Sequence, residues 1–137
     1  MSNSNGPTEC FCGRNHRGQL DFHQMCAAFG LTPRTLRYYE YLELITSDHC
    51  GRNRYYDDRA QARIKLILRG KSFGMRLEML RQWLDLYQIR GQQEQMRRWL
   101  SISRKLRMDL ERSQLALEQA LSDLDQADNE AMALLGQ

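Results

Sequence analysis

The spacing of apolar positions changes along the chain, and each change marks an element. From His23 to Phe29, Met25, Ala28 and Phe29 recur at helical spacing, and Gly30 follows where a C-terminal cap belongs. A second helix is expected to start almost at once. Thr32 is a good N-cap, and Pro33 stands at the first helical position, where proline is tolerated. Two short helices joined by a glycine-containing turn predict a helix-turn-helix. Ahead of them, Leu20 to Phe22 reads as a short strand or lead-in.

Between Ile45 and Tyr56 the pattern becomes extended. Ile45 and Thr46 can form one strand and Arg54 to Tyr56 another, with turn residues from Ser47 to Asn53 between them. This predicts a small hairpin, a wing. Asp57 or Asp58 then caps a helix that runs to about Phe73, with Ala60, Ile64, Ile67 and Leu68 facing inward and Gly74 just past its end. Leu77, Leu80, Leu84 and Tyr87 mark a further short helix.

After Gly91 no helix breaker occurs until Gly136. Trp99, Ser103, Leu106, Leu110, Ser113, Leu117, Ala120, Leu124, Ala127, Ala131 and Leu134 recur at alternating steps of four and three. A 3.5-residue repeat held over about five heptads is a coiled-coil seam. It spans roughly 52 Å at the helical rise. So long a single stripe needs a partner helix, and a second copy of the chain is the expected one. Trp99, Leu106, Leu110, Leu117, Leu124 and Leu134 are the expected dimerisation residues. Folding back onto the head is the alternative.

The second helix carries the candidate chemistry. At about 100° per residue, Arg34, Arg37, Tyr38 and Tyr41 share one face, while Leu36 and Tyr39 turn inward. Thr32 and Thr35 sit at its N-terminus. Arginine forks onto guanine edges or grips phosphate. Hydroxyls and a helix N-terminus bind phosphate oxygens. Arg52, Asn53 and Arg54 at the wing tip are placed to reach backbone beside the same groove. A solvated basic face is the plainer reading of the helix alone.

Charge sharpens this. The net charge is only +3. Yet Leu31 to Arg90 holds 12 Lys+Arg against 7 Asp+Glu, and after Arg112 the chain carries five acids and no base. A basic middle suits a polyanion, and the acidic end does not. No nucleophile-base pair, carboxylate pair or phosphate loop points to an enzyme. No apolar run reaches the length of a membrane span, and no signal-peptide pattern opens the chain. A soluble intracellular protein with double-stranded DNA as its partner is expected.

Two stretches closely resemble a known family. Leu31-Thr32-Pro33-Arg34-Thr35-Leu36-Arg37-Tyr38-Tyr39-Glu40 and Gly51-Arg52-Asn53-Arg54-Tyr55-Tyr56 are similar to the recognition helix and wing of MerR-family transcription regulators. Ile67-Leu68-Arg69, Phe73-Gly74 and Leu77-Glu78 extend the likeness. The resemblance implies a mainly α fold, a winged helix-turn-helix domain followed by a long antiparallel coiled-coil dimerisation helix. It also implies a homodimer on a pseudo-palindromic operator, with Arg34, Arg37 and Tyr38 on DNA and Arg54 as a wing contact. Activation by bending and untwisting a promoter spacer would involve RNA polymerase. Three departures stand out. Glu43 occupies the family's usual glycine, Thr46-Ser47 stands near its usual proline, and Arg76 replaces a serine N-cap.

Residues 1–18 are therefore expected to be a flexible arm, 19–88 the DNA-binding domain and 89–137 the dimerisation helix. The chain reads as a short form with no C-terminal effector domain and no cofactor. Four cysteines, Cys10, Cys12, Cys26 and Cys50, show no disulfide framework, and reduced thiols are expected, with Cys50 exposed in the wing. Cys10, Cys12, His16, His23 and Cys26 could serve as soft metal ligands, but their spacing matches no standard zinc site, so no metal is expected. The competing reading is a coiled-coil adaptor whose basic head meets an acidic protein.

Overall fold

A computed structural model describes residues 16–136. The chain divides into two compact units, the first ending at Leu86 and the second beginning at Tyr87. Each is set by its own local rules.

In the first unit, β1 (Leu20–Asp21) runs directly into α1 (Phe22–Phe29). A capping box fixes that junction. The Asp21 carboxylate accepts the Gln24 N–H at 2.8 Å, and the Gln24 side chain accepts the Asp21 N–H at 3.0 Å. Met25 is the buried anchor of α1. Gly30 ends the helix in the left-handed region, φ 63°. Thr32 then caps α2 (Pro33–Tyr41), its hydroxyl accepting the Thr35 N–H at 3.1 Å, with Pro33 at the first helical position. Leu36 and Tyr39 are buried.

The end of α2 explains the departure at position 43. Leu44 N–H donates to Tyr39 O and Glu43 N–H to Glu40 O, both at 3.0 Å, which is a Schellman closure. That closure needs a left-handed residue after the cap, and Glu43 supplies it at φ 59°, the one non-glycine residue with positive φ among those described. A side chain with a Cβ is strained there. Glu43→Gly is therefore expected to stabilise the fold by about 1 kcal/mol, net of glycine's greater unfolded-state entropy. Urea unfolding at matched protein concentration checks it; an unchanged or lower midpoint would refute the strain.

The wing is β2 (Asp48–Cys50) paired antiparallel with β3 (Asn53–Tyr56). Cys50 faces Asn53, so the connection is the two-residue loop Gly51-Arg52, with Gly51 at φ 61°. The hairpin is narrower than the sequence suggests. Ile45 and Thr46 do not extend into it, because Leu44 and Ile45 turn into the core as soon as α2 closes. A third strand is gained instead. β1 pairs with the outer side of β3, giving the order β1-β3-β2. Cys50 also corrects the sequence reading. It is 4% exposed rather than open, and it is disulfide-bonded rather than reduced. Cys26 is a free thiol.

Asp57 caps α3 (Asp58–Ser72), and Ala60, Ile64 and Ile67 form its buried stripe, with Leu68 half-buried. Gly70 is buried too, because a Cβ there would meet the Leu80 side chain at 2.4 Å. Then follows α4 (Leu77–Arg90), whose buried residues are Leu80, Trp83 and Leu84. Trp83 takes the place that spacing alone had given to Tyr87, which is exposed.

In the second unit, Gly91 at φ 86° precedes α5 (Gln92–Leu134), a helix of 43 residues. Its buried residues, Gln95 and Ile102, lie near its start, and nothing from Ser103 to Gly136 is buried. Leu106, Leu110, Leu117 and Leu124 lie along one line of this helix. Leu121 falls on the same face, about 45° from their mean direction, so the apolar face is wider than a strict alternation of four and three. Among the described residues no helix is long and apolar enough to cross a membrane.

Candidate nucleic-acid interface

Three elements of the first unit meet around one aromatic ring. Phe22 opens α1, and the capping box together with the β1–β3 pairing sets where its side chain goes. The Arg37 guanidinium of α2 lies over the Phe22 ring, 5.2 Å from its centroid. The Arg54 guanidinium of β3 lies over it at 6.0 Å. Arg54 also donates to the Glu40 carboxylate of α2, an ion pair in which Glu40 is largely enclosed and Arg54 about one-third exposed. α2 and the wing are thus joined by a charge pair and by a shared π face.

Two hollows flank this junction. One, of about 360 Å³, is lined by Asp21, Phe22, His23, Arg37, Arg52, Asn53, Arg54 and Tyr55. The other, of about 430 Å³, is lined by Arg37, Glu40, Tyr41, Ile45, Thr46, Ser47, His49 and Arg54. Arg37 and Arg54 border both. The surface that contains them is concave and basic, as a surface that grips a phosphate ridge has to be.

Of the residues singled out in the sequence, Arg37, Tyr41, Arg52, Asn53 and Arg54 come together on this surface. Tyr41 is 81% exposed. Arg34 and Tyr38 are exposed on the same helix but line neither hollow. Thr32 and Thr35 form their own pair, hydroxyl to hydroxyl at 2.8 Å. They hold the start of α2 while its N-terminus stays open to solvent. The positive charge of α3 is partly spent inside the protein. Arg63 donates to Leu44 O at 2.8 Å and to Asp85 at 3.3 Å, and Lys71 donates to the Tyr39 hydroxyl at 3.3 Å.

Phe22, Glu40 and Tyr56 were not picked out by sequence. Phe22 reads as one more core residue at the start of a helix. The helical period sets Glu40 apart from Arg34 and Tyr38, yet it lines one hollow with Arg37 and Arg54; a lone carboxylate on a basic helix followed by a basic hairpin hints at such a pair. Tyr56 is fully buried beside that pair, with its hydroxyl lacking a partner in hydrogen-bonding geometry. Burial first, and the Glu40 charge second, push its phenol well above the usual tyrosine range, so it stays neutral.

Among the described residues the soft-ligand candidates do not assemble. Cys10 and Cys12 lie outside the described residues. His16 stacks on Tyr55 at 3.9 Å and contacts the Gln19 side chain at 2.7 Å, while His23 meets Phe22 edge-on at 6.1 Å. Burial raises the Cys26 thiol, only partly offset by Arg37, which disfavours the thiolate a metal would need. Among the described residues no group of three His, Cys, Asp or Glu could hold a metal ion.

Comparison with known proteins agrees with this architecture. Residues 21–87 match the family model described as MerR HTH family regulatory protein, and residues 61–127 match the one described as MerR, DNA binding. No curated protein matches the chain. In fold it is similar to the solved structure of HiNmlR, a MerR family regulator lacking the sensor domain, bound to promoter DNA. The TM-score is 0.60 and the identity 20%, covering 76% of this chain and 79% of that one.

Proposed function

Because this chain belongs to the MerR family of DNA-binding transcription regulators, we propose that it binds a pseudo-palindromic promoter operator as a homodimer, with one α2 helix entering each of two major grooves. Members of this family are regulators and not normally enzymes. The observation that carries the proposal is the convergence of Arg37 from α2 with Arg52, Asn53 and Arg54 from the wing on one concave basic surface. Arg34, Arg37, Tyr38 and Tyr41 address the groove. Thr32 and Thr35 present the helix N-terminus to phosphate, and Arg52, Asn53 and Arg54 hold the flanking backbone.

The homodimer reading rests on α5. Its apolar face is long and, beyond Leu106, exposed along its length among the described residues. Its charge is polarised. Residues 92–112 hold six Lys+Arg and three Asp+Glu, and residues 113–134 hold five acids and no base. Two copies paired antiparallel set each basic half beside an acidic half, whereas a parallel pair would stack like on like. A dimer so built carries two reading helices to two half-sites. Bending and untwisting the spacer between them would bring promoter elements into the relation RNA polymerase requires. Such a regulator works at the nucleoid, in the cytoplasm.

Selection from a random-sequence duplex pool tests the reading. The chain is expected to enrich one inverted-repeat sequence. Its affinity for that duplex should fall steeply with salt, with a log–log slope of roughly −5 to −9 for six to ten phosphate contacts. A chain that enriches no sequence and shows a shallow slope would instead be a basic-headed adaptor.

A further inference from the structure

Phe22 touches both contact surfaces of the head, Arg37 of α2 and Arg54 of the wing. It belongs to neither α2 nor the wing. It sits at the first position of α1, where the Asp21–Gln24 capping box fixes the backbone on one side and the Asp21–Tyr55 strand pairing fixes it on the other. From there its ring lies under two guanidiniums that come from different elements. Two like charges crowded this closely repel, and each would otherwise swing out into water on a long side chain. Glu40 compensates one of them directly, through Arg54. Arg37 makes no ion pair with a carboxylate among the described residues; its contact is the ring. A planar π face suits this task better than an aliphatic side chain of equal bulk, because it attracts a cation electrostatically and lets a planar guanidinium lie flat on it.

We propose that Phe22 is a specificity-determining positioning residue, whose ring sets the spacing between the base-reading Arg37 and the backbone-gripping Arg54 before DNA arrives. The inference rests on the DNA-binding reading above. With the ring in place, the side-chain entropy of two arginines is lost on folding rather than on binding, so the docked arrangement is ready beforehand. Without it, both arginines remain, the net charge is unchanged, and non-specific attraction to DNA survives. What falls is the preference for the right sequence.

The test uses the full chain and two probes: the duplex most enriched by the wild-type chain from a random pool, and a scrambled duplex of the same composition. Phe22→Leu keeps apolar bulk and removes the π face. It is expected to weaken binding to the enriched duplex about 5- to 30-fold for each head engaged, the worth of that head's two cation–π contacts. Binding to the scrambled duplex should change less than about twofold, a purely electrostatic term. Phe22→Tyr restores the ring and should return within about twofold of wild type on both probes. Equal losses on both duplexes, accompanied by a lower unfolding midpoint, would make Phe22 a folding residue and overturn the inference. So would a Phe22→Tyr chain as weak as Phe22→Leu, or a Phe22→Leu chain with undiminished preference. If the wild-type chain enriches no sequence, the DNA-binding reading fails first and this inference falls with it, a result distinct from the other three.

Discussion

Leu117→Asp combined with Leu124→Asp is expected to convert the chain to a monomer and to cost at least a hundredfold in operator affinity. Both leucines are more than half exposed in the single chain, so the folded head loses no packing when they change. In the antiparallel pair each would be covered by the other copy, and burying four carboxylates in an apolar seam costs their desolvation, which the partner's basic half, whose Lys and Arg lie off the seam line, offsets only in part. Once the pair separates, the two heads bind as independent units. The loss then reflects effective concentration, which is worth 10²–10⁴ for linked sites, roughly. Sedimentation equilibrium gives the mass and anisotropy gives the affinity. A variant that remains dimeric would place the interface elsewhere, and a monomer with full affinity would remove the need for two half-sites.

Arg37→Ala is expected to have the next largest effect. It removes a guanidinium that lies between both hollows and over Phe22. A bidentate arginine–guanine contact is worth about 1–3 kcal/mol, and a homodimer loses two of them, so operator affinity should drop about 30-fold or more. Mass and unfolding midpoint should stay near wild type, because Arg37 is exposed and its ring contact is on the surface. Unchanged affinity would remove Arg37 from the reading face. Loss of the dimer would mean that the residue acts through the fold.

Both results bear on how much could be read from the chain beforehand. Elements bounded by strong local chemistry were legible. Thr32 and Pro33 announce α2, Gly30 closes α1, and Asp57 opens α3, because caps act within a few residues of themselves. The inward Leu36 and Tyr39 and the outward Arg37 follow from helical period alone. What escaped is what depends on contacts between segments distant in sequence. β1 is only two residues long and exists because β3 offers it an edge. Phe22 gains its role only when α2 and the wing fold over it. The burial of Cys50 depends on the hairpin turning back at Gly51, and its disulfide on a second cysteine that spacing does not identify. The left-handed Glu43 was visible as an anomaly, but only the Schellman hydrogen bonds give the reason.

The charge polarity of α5 has one more consequence, which concerns company rather than stability. A cell that makes several regulators with long apolar helices faces the problem of cross-pairing, since leucine seams are much alike. A helix that runs from basic to acidic is complementary to its own reversed copy. Against a helix of uniform sign, one of its halves always meets like charge, at a cost that grows with each juxtaposed pair. In the homodimer proposed above the gradient would therefore act as an address: it would favour the chain's own kind among look-alikes, and would do so least well in high salt, where the address is screened.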